Sequence, residues 1–338
     1  MLKRRMVLTA FWRVRIQEPL LIATALRPGS ITRLPVDKHD PSAGTVRKKL
    51  FAHTAASGSF VIGVAPVTVK ALPFDAEVSA FYRVILAVPF MAMICLLKRE
   101  QISALPKDRH FYWFTLLAVI FFCADLTTMH FAIQYTDVAI ATLLTNCAPF
   151  FIVIMGLSGI VEKPKRQEVA CLLLAISGMY VLCLMGKSTR HDYWGEALSL
   201  LAALFYAAYI VTIKKVRTYN CSPSAIMLYI TAGCSLVLLP VFILSGAPLP
   251  ATLKTWGLLL ILVLCGQVFG QLLVTLSLKS LSASFSSIVL LLQPIIATVL
   301  SWLLLGEVLT STELTGMTIV LLAIAASSLD FNKHASTP

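Results

Sequence analysis

Few side chains in this chain could do chemistry where they stand, and those few lie inside long apolar stretches. Arg83, Asp125 and His130 are the ionisable ones. Five residues separate Asp125 from His130, about 140° around a helix, so the two do not share one face as a ligand pair would. One reading makes them a substrate or proton site in a central cavity, with His130 near a span end where its imidazole can titrate close to neutral pH. The other makes Arg83 and Asp125 a buried pair that neutralises itself and holds helices together. Gln267 and Gln271 are spaced one helical turn apart, which places two neutral donor–acceptor groups on one face. Gly266 and Gly270 frame them in a G-x-x-x-G pattern that favours close helix contact. Thr145, Asn146 and Gln293 precede Pro149 and Pro294. Each proline leaves a carbonyl one turn earlier without its helical donor, which either kinks a packed helix or lines a polar path.

Other chemistries find less support. Gly156-Leu157-Ser158-Gly159 reads G-x-S-G, as in intramembrane serine proteases, but His191, the histidine between it and the C-terminal tail, falls in a loop. The eight cysteines stand singly, with no C-x-x-C pair, so neither zinc nor a disulfide framework is indicated. No phosphate-binding glycine loop occurs, which excludes an ATPase on this chain, and no cofactor is expected.

The elements that must carry these residues follow from composition. The 338 residues are 58% apolar and 13% charged, with a mean hydropathy of +0.85, against roughly a quarter charged in a soluble domain. Lipid is therefore the expected solvent, and membrane lipids the expected neighbours. A spanning helix takes about 20 apolar residues. Ten such spans are read near 52–72, 76–97, 111–134, 138–161, 167–186, 194–214, 223–244, 255–278, 283–305 and 313–330. Stretches such as 115–124 and 258–265 are apolar on every side, unlike the alternating strands of a barrel. The fold class expected is an all-α integral membrane protein.

The formal charge of +12 could suggest nucleic acid, but its placement argues for topology. Of the 28 Lys and Arg, 23 fall on the side that holds the N-terminus, 4 on the other, and Arg83 within a span. The positive-inside rule then puts both termini in the cytosol and leaves no role for nucleic acid. Residues 1–50 are Arg-rich, poor in acids and punctuated by Pro28, Pro35 and Pro41, and read as a disordered cytosolic extension, with a transit peptide as the alternative. Residues 331–338 read as a short cytosolic tail.

Displacing the sequence by 145 residues lays Pro149 on Pro294, Glu162 on Glu307, Glu168 on Glu313 and Asp137 on Ser282. Two units of five spans follow, 51–187 and 191–330. Because five is odd, the second enters the membrane from the opposite side, and inverted repeats of this kind surround midplane sites in secondary transporters. Glu162 and Glu307 close spans, where they anchor an interface, and Thr310 to Glu313 has capping-box spacing that makes Glu313 structural.

At this point the residues resemble a known family. Ala132, Tyr135 and Thr136 ahead of a span, Pro149 within it and Glu162 closing it are similar to the EamA family of the drug/metabolite transporter superfamily. So are Ser282-Ala283-Ser284, Leu291-Leu292-Gln293-Pro294, Leu305-Gly306-Glu307 and Gly316 in the second unit, and Arg83 in Ala80-Phe81-Tyr82-Arg83. The first unit departs from the pattern, with Val161 where a glycine precedes Glu162 and Cys171 at the place of Gly316. The resemblance implies a transporter or exporter of a small metabolite, and with the polar residues inside the spans the expectation is a secondary transporter, with export the expected direction, of a small polar or amphipathic metabolite in a plasma or bacterial inner membrane. On that reading Arg83, Asp125, His130, Asn146, Gln267, Gln271 and Gln293 bind substrate, Pro149, Pro294 and Gly306 serve as kinks or hinges, and a coupling proton is an open partner. A non-transporting scaffold or receptor is the competing expectation, and the protease a second one.

Overall fold

A computed structural model describes residues 41–98, 106–136, 138–185, 193–219, 221–247, 249–279, 281–305 and 311–333. Helices dominate these segments, and no strand occurs among the described residues. In chain order α1 comprises Pro41–Ile62 and Ala65–Ala71, and α2 comprises Ala76–Ile85 and Ala87–Leu97. Then come α3 (Arg109–Tyr135), α4 (Val138–Thr145 and Ala148–Leu157) and α5 (Arg166–Met185). The second half holds α6 (Tyr193–Val216), α7 (Pro223–Ser245) and α8, which runs Leu253–Ile261, then a π-helical segment Leu262–Phe269, then Gly270–Ser277. It ends with α9 (Ala283–Leu290 and Leu292–Leu305) and α10 (Ser311–Lys333).

Eight of these helices, α1 to α4 and α6 to α9, are long and apolar enough to cross a membrane. α5 does not reach that measure and α10 carries a shorter apolar stretch, Leu314–Ala326, so eight of the ten spans expected from sequence qualify among the described residues. α1 begins at Pro41, so the last ten residues read as a disordered extension are helical instead, while residues 1–40 lie outside the described residues.

Local chemistry sets several starts and stops. Ser222, Thr252 and Ser282 each place a side-chain oxygen on the backbone N–H three residues on, at 3.0–3.1 Å, opening α7, α8 and α9. Asp108 caps α3 through His110 N–H at 2.9 Å. Gly246 ends α7 with φ +61°, in the left-handed region that glycine enters without strain.

The surface is apolar: Leu244, Leu253 and Leu96 are 86%, 89% and 70% exposed. A soluble protein would not carry so much exposed hydrocarbon, but lipid accommodates it. Inside, α3 packs on α6, α1 on α8, α2 on α7 and α5 on α10. α6 also lies on α4, and α1 on α9. Exchanging each helix for the one five places away turns α3–α6 into α8–α1 and α6–α4 into α1–α9, and leaves α2–α7 and α5–α10 unchanged. Small residues allow the closest of these contacts. A Cβ on Gly178 of α5 would stand 2.8 Å from the Gly316 carbonyl of α10, and one on Gly63 of α1 would stand 2.7 Å from Ile296 of α9.

Candidate functional site

A cavity of about 30 Å³ lies where α1, α2, α3, α4, α6, α8 and α9 converge. Its walls carry Arg83, Asp125, Thr145, Asn146, Tyr206, Gln271 and Gln293 among the apolar Ile62, Ala65, Leu126 and Met129. The volume has room for about two waters. Both helical units contribute, α1 to α4 from one and α6, α8 and α9 from the other.

Interruptions in the helices bring these groups together. α4 breaks after Thr145, where the Cys147 N–H bonds Leu144 instead of a residue four back, and Pro149 restarts the helix in its first turn. α9 breaks at Leu291, with Pro294 in the first turn beyond. The two breaks sit at matching places under the 145-residue displacement, and each delivers an amide to the cavity: Asn146, whose Nδ2 donates to the Thr142 carbonyl at 2.7 Å, and Gln293. The paired prolines expected from sequence thus mark these breaks.

α8 supplies the third amide, Gln271. Residues 262–269 are π-helical, and the Gly270 N–H bonds the Cys265 carbonyl five residues back. Gln267 and Gln271 nevertheless meet different neighbours. Gln271 faces the cavity, whereas Gln267 is fully buried and donates to the Thr231 hydroxyl of α7 at 3.2 Å. Gly266 offers its carbonyl to Arg83 Nη2 at 3.2 Å, and a Cβ there would lie 3.2 Å from the guanidinium carbon. The absent side chain lets the arginine lie against α8. Gly270 packs against Ile62 of α1, the close approach that the G-x-x-x-G pattern suggested.

Arg83 and Asp125 are 4% and 5% exposed. They face one cavity, yet no salt bridge within 4.0 Å joins the carboxylate to the guanidinium. Arg83 Nε and Asp125 Oδ1 are buried without a hydrogen-bond partner. The same holds for Thr145 Oγ1, Gln271 Oε1, Gln293 Nε2 and the Tyr206 hydroxyl, which lies beside Gln271 and Gln293. Buried polar atoms left unpaired cost about 1–3 kcal/mol each, and native structures contain few of them. Six such atoms face this one cavity, where a ligand or water can complete their bonding, and others lie elsewhere in the bundle, His130 Nε2 and Gln267 Oε1 among them.

The structure removes His130 from this group. Its ring is 0% exposed and away from the cavity, with Nδ1 2.7 Å from the Ser79 hydroxyl, which itself donates to the Ala76 carbonyl at 3.0 Å. It ties α3 to α2 and does not meet water. Tyr206 is the cavity group that sequence reasoning missed. The signal was a tyrosine pair, Tyr206 and Tyr209, on one face of a span, and their rings stack 6.0 Å apart while Tyr209 meets Phe122 at 4.8 Å.

The remaining expectations fall away from the cavity. Glu162 pairs with Lys214 at 2.7 Å, joining the turn after α4 to the end of α6 at an exposed site. Gly306, Glu307 and His191 lie outside the described residues, and Glu313 is in α10 with its side chain outside them. The G-x-S-G sequence is a helix terminus. The Ile160 N–H bonds the Met155 carbonyl, the Gly159 N–H bonds Gly156, and Gly159 has φ +82°. That is a Schellman motif, with the Ser158 hydroxyl spent on the Met155 carbonyl at 3.0 Å. The protease expectation rested on this serine and loses its motif.

Comparison with known proteins adds a second line of information. The model of the EamA-like transporter family matches residues 51–184 and again 193–329. The pseudopaline exporter CntI of Pseudomonas aeruginosa strain UCBPP-PA14 is 25% identical over 207 residues, which are 60% of this chain and 70% of that protein. PagO of Salmonella typhimurium is 26% identical over 224 residues, 64% of this chain and 71% of PagO. A protein solved by crystallography, at 13% identity, superposes with a TM-score of 0.67 over 88% of this chain and 99% of its own, a likeness of fold.

Proposed function

The chain belongs to the EamA-like transporter family, and from that premise we propose that this membrane transporter is a secondary exporter of a small polar or amphipathic metabolite. It works by alternating access between two inverted five-helix units, α1 to α5 and α6 to α10. The observation that carries this reading is the buried polar cavity shared by both units, with its cluster of unpartnered donors and acceptors. The two family matches fall on the two units, and the helix contacts exchange under a five-helix shift, as an inverted repeat requires. At about 30 Å³ the cavity has room for about two waters, less than a metabolite needs. A metabolite enters when one unit rocks against the other, and the pseudo-symmetry makes the two open forms near mirror images.

No nucleotide takes part, and the gradients of substrate and coupling ion supply the energy. A coupling proton is placed on Asp125, the carboxylate that lines the cavity, and His130 is given a packing role. Export as the direction rests on the exporter relative at 25% identity. The distribution of basic loops supports cytosolic termini, in a plasma or bacterial inner membrane.

Purified protein in liposomes loaded with a metabolite extract tests the reading, with the released solutes identified by mass spectrometry. Saturable, protein-dependent flux of a small set of solutes is expected. Absence of any flux, together with absence of ligand-induced thermal stabilisation, would overturn it in favour of a scaffold or receptor. Reporters fused after residues 190 and 250 should be extracytoplasmic, and after 104 and 218 cytosolic; a swap refutes the inverted topology.

A further inference from the structure

One backbone carbonyl in the bundle has exchanged its donor. In an α-helix the Gly266 carbonyl of α8 would accept from the Gly270 N–H, four residues on. That N–H goes to the Cys265 carbonyl instead, as part of the π-helical stretch Leu262–Phe269. The Gly266 carbonyl accepts from Arg83 Nη2 at 3.2 Å, a donor that belongs to α2, 183 residues away in the chain. Few residues in proteins are π-helical, and such turns gather at functional sites. A carbonyl buried in a bundle without a partner is costly. The guanidinium and the Gly270 N–H are therefore alternative donors to one acceptor.

Both glycines of the G-x-x-x-G pattern serve this exchange. A Cβ on Gly266 would stand 3.2 Å from Arg83 Cζ and Nε and 3.1 Å from Ala65 Cβ, so a side chain there would crowd the guanidinium off the carbonyl. A Cβ on Gly270 would stand 2.4 Å from the Cys265 carbonyl oxygen, the acceptor of the π bond. We infer that Arg83 sets a backbone switch in α8. With its guanidinium on the Gly266 carbonyl the stretch is π-helical; when the guanidinium leaves, the Gly270 N–H returns to Gly266 and the stretch closes to an α-helix. The π stretch takes in one residue more than an α-helix does, so closing it turns Leu253–Ile261 against Gly270–Ser277 by about 100°, the rotation of one residue. A movement of α2 thereby becomes a twist of α8. On the transporter reading these helices belong to opposite units, and the switch then answers the relative motion of the two.

The test compares the purified full chain in lipid nanodiscs with Arg83→Met, Gly266→Ala and Lys70→Met, by electron cryomicroscopy at a resolution that shows carbonyl oxygens. In Arg83→Met the Gly270 N–H is expected on the Gly266 carbonyl, with residues 262–269 α-helical. Gly266→Ala keeps the arginine but crowds its guanidinium, so the same α-helical stretch is expected, and this variant decides where Arg83→Met fails to fold. Lys70→Met loses the bond to the Ile133 carbonyl and leaves Arg83 in place, so it should keep the π turn. A second readout is the Gly270 amide. Phe-Gly occurs once in the chain, at Phe269-Gly270, so isotope labels on phenylalanine carbonyls and glycine nitrogens single that amide out in a magnetic resonance spectrum. Its signal should move in Arg83→Met and stay in Lys70→Met. A π turn retained in Arg83→Met, or in Gly266→Ala where that variant decides, would overturn the switch. So would loss of the π turn in Lys70→Met, because the change would then follow stability and not the arginine. None of these readouts involves flux, so failure of the switch and failure of the transporter reading are separate results.

Discussion

Gly270 is where a single methyl group should matter most. A Cβ built there would stand 2.3 Å from Ile62 Cγ1 and 2.4 Å from the Cys265 carbonyl oxygen. Neither is the free end of a flexible side chain: the first lies on the packed face of α1 and the second is backbone of the π-helical turn. Overpacking of this kind costs about 1–3 kcal/mol, and alanine regains up to about 1 kcal/mol of helix propensity over glycine. With approaches this short the overpacking cost falls at its upper end, so Gly270→Ala is expected to destabilise by about 2 kcal/mol, about 3 kcal/mol of overpacking less about 1 kcal/mol of propensity. Gly257, also in α8, has nothing within 4 Å of the same virtual atom, so Gly257→Ala should gain about 0.5–1 kcal/mol. Thermal unfolding of both variants in detergent would show midpoints moving in opposite directions. Ile62 also lines the cavity, so the displaced side chain should lower flux in Gly270→Ala at matched protein level. Two variants that shift the midpoint alike would refute the argument, because the close approach of α1 to α8 would then impose no constraint.

Other expectations are narrower. The pH dependence of flux should flatten in Asp125→Asn and persist in His130→Gln, since only Asp125 faces the cavity; the reverse result in proteoliposome assays would return the coupling proton to the histidine. Lys70 Nζ donates to the Ile133 carbonyl at 2.7 Å in the last turn of α3, so Lys70→Met should cost roughly 1–3 kcal/mol, read as a lowered unfolding midpoint. Ser158→Ala should leave flux and serine-probe labelling unchanged, whereas Gly159→Ala, at φ +82°, should lose about 1–2 kcal/mol through left-handed strain; labelling that depends on Ser158 would reopen the protease reading.

Composition and the spacing of charges decided much about this protein before any coordinates. Apolar runs of spanning length between charged loops dictate helices, because lipid offers backbone amides no other partner, and the helices fall close to the spans read from sequence. Pro149 and Pro294 announced their helix breaks by a local rule, the missing amide proton, which needs no tertiary partner. Arg83 and Asp125 were conspicuous because charge inside hydrocarbon is rare. What sequence could not supply was the direction of each side chain. Gln267 and Gln271 are one turn apart on paper, but Gln267 meets Thr231 of α7 while Gln271 lines the cavity, according to which helices pack around α8. His130 resembles Asp125 in sequence as a lone ionisable group in an apolar helix, yet one meets Ser79 and the other a cavity, according to which neighbour each face of α3 received. Tyr206 drew no notice because a tyrosine in a span is unremarkable until six other helices aim polar atoms at the same point. Hydropathy is a property of each residue and survives any rearrangement of the helices; a site is a coincidence of helices distant in the chain, and only their packing creates it.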